Sequence, residues 1–176
     1  MEDNAAAISS SRLVRPPKED STAMLPGLKA ALNFHPMFVH FPIVLWLAAL
    51  LFELLAVWRA SDELQRTASR LLYLGTLAGV ITILTGLAAE DSIPPGDAQR
   101  IVGIHETLMV VTTSLAVGLC LLAFFARKNL TPLLKKVLLA GMFVLAVLLT
   151  IGADRGAQLV YQYGSAVNWA TAQQQK

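Results

Sequence analysis

From residue 34 onward the chain alternates between long apolar runs and short polar connections. The runs cover 37–58, 71–89, 107–126 and 137–153. Each is close to the ~20 residues that carry a helix, rising about 1.5 Å per residue, across a hydrocarbon layer of about 30 Å. The segments between them, RASDELQRTASR, EDSIPPGDAQR and RKNLTPLLKK, are short enough to join only neighbouring antiparallel helices. The pattern therefore predicts an all-α protein, an integral membrane four-helix up-down bundle over residues 34–167. A polar segment, 1–33, precedes it, and a short tail, 168–176, follows. The leading segment mixes both charges with Pro16, Pro17 and Pro26 and has no apolar core fit for a secretory signal; it reads as a disordered tail with a short interfacial stretch at 28–33.

Composition agrees with the pattern. The 176 residues are 55% hydrophobic and 15% charged, with a mean hydropathy of +0.57, a balance foreign to soluble domains of this size. A net charge of +2, without a Lys/Arg cluster interleaved with aromatics, excludes a nucleic-acid surface. The single cysteine, Cys120, excludes disulfide frameworks, cysteine-based zinc sites and covalent haem attachment within this chain. Missing too are G-x-S-x-G, a phosphate-binding glycine loop, H-E-x-x-H and a Cys–His pairing, so hydrolase and phosphoryl-transfer chemistry are not expected. Asp154 has no second aspartate within the apolar runs with which to form an intramembrane protease dyad.

Charge near the helix ends predicts the orientation. The first and third connections hold Arg59, Arg66, Arg70, Arg127, Lys128, Lys135 and Lys136, against Lys29, Arg100 and Arg155 at the other face. Those two connections are expected in the cytoplasm. Both termini and the second connection, with its Pro-Pro-Gly turn, then face the periplasm.

That places all three histidines at the outer face. In HPMFVHFP, His35 stands at the helix entrance before the first-turn proline Pro36, and His40 lies one turn further in. His105 opens the third helix, which runs parallel to the first, so His40 and His105 are expected at similar depth. Each is followed 45 residues later by a threonine, Thr85 in LTGLAAED and Thr150 in LTIGADRG. This suggests two pseudo-repeated helical hairpins offset by 65 residues, with His40 and His105 facing each other across the repeat axis. Facing imidazoles suit the axial positions of haem b. Arg100 and Arg155 would lie near its propionates, and Asp154, Gln158 and Tyr161 form one helical face ending before Gly164. Gly75, Gly79 and Gly86 mark a strip of the second helix open to a porphyrin or, more simply, to a neighbouring helix.

Other readings compete. His35, Met37, His40, His105 and Met109 supply the imidazole and thioether mix that suits copper. A structural or assembly subunit without a cofactor is the third reading, since histidines one turn from an interface also serve as ordinary hydrogen-bonding groups. Pro42 is expected to kink the first helix. Glu53, in the inner half of that helix, is expected to reach Arg59 or Arg70, with proton handling the lesser reading.

Four phrases, HPMFVHFPIVLW, TGLAAED, His105 opening the third helix, and GAQLVYQYG, resemble the bacterial membrane family of domain of unknown function 2231. The likeness covers about residues 33–167 and falls on His35, Pro36, His40, Pro42, His105, Leu159, Val160, Tyr161 and Gly164. It implies a four-helix protein of the bacterial inner membrane, with relatives linked to c-type cytochromes or other respiratory membrane subunits, and so favours an electron-transfer role. The chain departs from the family's usual closing phrase at Tyr163, where a histidine is frequent.

Overall fold

A computed structural model describes residues 34–89, 96–127 and 130–165. The expected disordered tail, most of the Pro-Pro-Gly connection and the closing tail lie outside the described residues. The described chain is helical: α1 (His35–Phe38), α2 (His40–Arg59), α3 (Asp62–Leu87), α4 (Asp97–Ala126) and α5 (Pro132–Tyr161). With α1 and α2 counted as one span, four segments are long and apolar enough to cross a membrane.

The helices outrun the apolar windows that announce them, because a window finds the hydrocarbon-crossing part and misses polar end turns. α3 begins at Asp62 rather than 71, set by the Ser61 hydroxyl, which accepts from Leu64 N at 3.4 Å. α5 begins at Pro132 rather than 137, where Thr131 Oγ1 accepts from Leu134 N at 3.3 Å and proline fills the first turn. Its far end runs on to Tyr161. α4 gains its first turns from Asp97.

The α2–α3 corner is tight. Ala60 sits in the left-handed region at φ 50°, and the N–H groups of Ala60 and Ser61 reach back to Val57 O at 3.4 Å and Ala56 O at 3.0 Å. This pairing closes the end of α2, and Ser61 at once caps α3.

Neighbours in the bundle are α2 with α3, α3 with α4, α4 with α5 and α5 with α2, so α2 and α4 stand on one diagonal. Small residues line the contacts: Ala49, Ala68 and Ala116 are wholly buried beside Leu72 and Leu145. The glycine strip of α3 receives Trp46. A methyl group on Gly75 would lie 2.7 Å from the indole Cδ1, and one on Gly79 would lie 2.8 Å from Cη2. The indole Nε1 donates to Thr76 Oγ1 at 3.3 Å, and Thr76 in turn donates to Leu72 O at 2.8 Å. Cys120 joins this cluster through its thiol, 3.2 Å from Thr76 Oγ1. Val44, Leu47, Leu51, Phe125 and Leu133 face outward and are exposed, the arrangement of a bundle solvated by lipid.

Candidate functional site

Pro42 shapes one end of the bundle. Lacking an N–H, it leaves the Phe38 carbonyl without its intrahelical donor, and the helix is interrupted at Val39 between α1 and α2. Thr82 of α3 approaches it: its single hydroxyl proton is shared between Ala78 O of its own helix at 2.9 Å and Phe38 O at 3.3 Å. The Thr82 carbonyl, one atom group away, accepts from Nδ1 of His35 at 3.1 Å, with Thr85 Oγ1 3.4 Å from the same nitrogen. The ring comes close to α3 because Gly86 has no side chain; a methyl there would meet Cε1 at 3.0 Å.

His105 repeats the arrangement on α4 and α5. Its Nδ1 donates to Gly152 O at 2.8 Å, and a methyl on Gly156 would meet its Cε1 at 3.1 Å. In both halves the accepting carbonyl lies 47 residues beyond the histidine. His35 and His105, Thr82 and Gly152, and Gly86 and Gly156 are all related by 70 residues. The helical hairpins therefore correspond at an offset of 70, not the expected 65. The two imidazoles meet across the bundle diagonal with ring centroids 6.4 Å apart and planes at 83°.

His105 thus pairs with His35 rather than with His40. The extra turn that makes His40 look deeper also rotates it to the outside: it is exposed, and its Nδ1 donates to Pro36 O of its own helix at 3.0 Å. Its counterpart in the 70-residue register is Val110, equally exposed. Thr150, the expected partner of Thr85, is exposed and donates to Ala146 O.

The remaining candidates scatter. Met37 and Arg100 are exposed. Met109 packs its thioether terminus against Gly152, the residue whose carbonyl holds His105; its Sδ would lie 3.4 Å from a methyl there. Arg155, related to Thr85 by the same offset, ion-pairs with Asp154 at 3.8 Å and donates to Gln158 Oε1 at 2.9 Å. Tyr161 is 89% exposed. Gly164 has φ 64° and terminates the helix as expected, with Ser165 N reaching back to Leu159 O at 2.9 Å. Among the described residues no three His, Cys, Asp or Glu side chains gather to hold a metal.

Gly152 and Gly156 escaped the sequence reading. The detectable signal was the shared interval of His35 to Gly86 and His105 to Gly156, which only a search for equal spacings would isolate. Glu53 differs from expectation as well. It does not reach Arg59 or Arg70; it is 1% exposed and accepts from Gln65 Nε2 at 3.2 Å. The Arg59 guanidinium instead lies over the Trp58 ring, 5.4 Å from its centroid.

Fold and surface together define a multi-pass membrane protein, a helical bundle with its two inward-facing histidines at one end. The chain belongs to the family of predicted membrane proteins designated DUF2231, which it matches over residues 31–168. No curated protein and no solved structure matches it.

Proposed function

We propose that this protein is an electron-transfer subunit of the bacterial inner membrane, in which His35 and His105 ligate one haem b at the periplasmic end of the bundle. The observation that carries this reading is the facing pair itself. A carbonyl oxygen only accepts, so each Nδ1 carries a proton, and in the neutral imidazole Nε2 then keeps its lone pair. Ligating histidines are typically fixed in this way, the other ring nitrogen donating to a carbonyl that sets tautomer and orientation. With metal–nitrogen bonds of about 2.0 Å, two imidazoles opposed across one metal have centroids roughly 6.3 Å apart, against the 6.4 Å found. Tetrahedral ligation would bring them to about 5 Å. The spacing would suit two imidazoles sharing one ion.

When bound, such a haem exchanges single electrons, at a potential set by its axial ligands and burial. The residues of the chain hold it. Gly86 and Gly156 let the rings approach the helix backbone, and Thr82 O and Gly152 O would orient them toward the group. The basic connections lie in the cytoplasm, and the partner is a c-type cytochrome or another respiratory membrane subunit reached from the periplasm.

The test is a reduced-minus-oxidised absorption spectrum of detergent-purified protein produced with ample haem. A b-type α-band is expected, lost in His35→Ala and in His105→Ala and kept in His40→Ala. A featureless spectrum from folded protein overturns the reading. One observation favours a second: Met109, one turn beyond His105 on α4, packs against Gly152, whose carbonyl holds His105, and two imidazoles with a thioether are a donor mix suited to copper. Metal analysis of the same preparation, with Met109→Leu as control, separates the two.

A further inference from the structure

The opposite end of the bundle holds a second polar centre. Glu53 lies 18 residues along the first span from His35, about 27 Å at 1.5 Å per residue, so it stands apart from the histidine pair and needs no cofactor there. It borders a cavity of about 330 Å³ formed by α2, α3 and α5 and the α2–α3 corner, with Ala56, Ala60, Gln65 and Leu139 in its walls and Asp62 and Lys135 also lining it. A water molecule occupies roughly 30 Å³, which leaves room for several.

We infer that Glu53 is a proton-binding site, served by this cavity from the aqueous phase at the Lys135 end. Glu53 is 1% exposed, and one carboxyl oxygen is held by a neutral amide, Gln65. The other oxygen makes no hydrogen bond. Among the described residues, Ser165 Oγ is the sole fully enclosed side-chain nitrogen or oxygen without a partner, so this second oxygen keeps a trace of accessible surface, and Glu53 itself lines the cavity. The charged groups around it are otherwise engaged or at the rim. Asp62 of α3 and Lys135 of α5 bind each other at 3.3 Å, Lys136 of α5 lines the same cavity, and Arg59 of α2 lies on Trp58. A buried carboxyl with a neutral partner and a water-sized approach is built to exchange a proton and not to hold an ion pair. The step is a simple transfer: hydronium gives its proton to the free carboxylate oxygen and leaves as water, and the reverse reaction returns it. The small side chains of Ala56 and Ala60 keep the approach open.

Infrared difference spectroscopy of the purified full chain tests this. The expected result is a carboxylic-acid C=O band that rises and falls reversibly with pH, shifts promptly in D₂O and is absent in Glu53→Gln. Should Glu53→Gln fail to fold, Gln65→Leu identifies the band by moving it, since that change removes the donor to the bonded oxygen. Ala56→Leu narrows the cavity and should keep the band while slowing its deuterium shift severalfold; Leu139→Trp does the same from the opposite wall. A band that neither titrates nor shifts in D₂O, or one that shifts equally fast with the cavity filled, overturns the inference. Because the readout is the carboxyl itself, loss of the haem spectrum leaves this result unaffected.

Discussion

Gly86 and Gly156 matter because a flat ring occupies the space a side chain would take. Adding one methyl at either position forces the facing imidazole to move, since the contact would fall at 3.0–3.1 Å. With haem at the proposed site, Gly86→Ala and Gly156→Ala are expected to lower the haem retained per protein severalfold while leaving the helical circular dichroism unchanged; quantitative haem extraction alongside the spectrum checks this. Thr82 carries a different burden. Its hydroxyl serves the Phe38 carbonyl that Pro42 leaves open, so Thr82→Val should cost about 1–2 kcal/mol in stability, read as a lowered unfolding midpoint in detergent. The histidines themselves were legible as candidates, yet which two meet was not. His35 and His40 are five residues apart, and a helix turns far enough over that interval to send one ring into the bundle and the other out.

At the scale of elements, the helices were readable from apolar run length, but their ends were not, because the capped polar turns lie outside the apolar runs. Ser61 and Thr131 each place a hydroxyl just ahead of a helix, and Pro132 and Pro36 mark first turns. What composition could not supply was the termination at Ala60, an alanine in the left-handed region where glycine is the usual choice. Ala60→Gly relieves that conformation and is expected to stabilise the α2–α3 hairpin by about 0.5–1 kcal/mol, measured by thermal unfolding of the purified protein. The opposite change at the α2–α3 contact is costly. Gly75→Ala drives a methyl into the Trp46 ring, which is 4% exposed and has no room to retreat; overpacking of this kind typically costs about 1–3 kcal/mol.

For the whole molecule, the two ends differ in kind. One carries the facing imidazoles; the other carries Arg59, Arg66, Arg70, Lys135 and Lys136, the two lysines lining the Glu53 cavity. The excess of basic residues at the Glu53 end predicts that it faces the cytoplasm. Single cysteines at exposed Tyr161 and exposed Arg66, introduced in a Cys120→Ala background, test this in intact cells. A membrane-impermeant maleimide should label the first and spare the second, and the reverse pattern would invert the protein. Either result fixes which side of the membrane the histidine end faces.

The sequence alone determined that the chain crosses a membrane, that it does so four times, and that its histidines collect at one end. Each of these follows from local quantities: apolar run length, connection length and position along a run. The tertiary structure decided the register of the two hairpins, the choice of His35 over His40, the filling of the Gly75–Gly79 strip by Trp46, and the partnership of Glu53 with Gln65. Those depend on how each helix is rotated about its own axis. In a membrane helix that is apolar nearly all round, the hydrophobic pattern leaves this rotation almost unmarked, and close packing against neighbouring helices sets it.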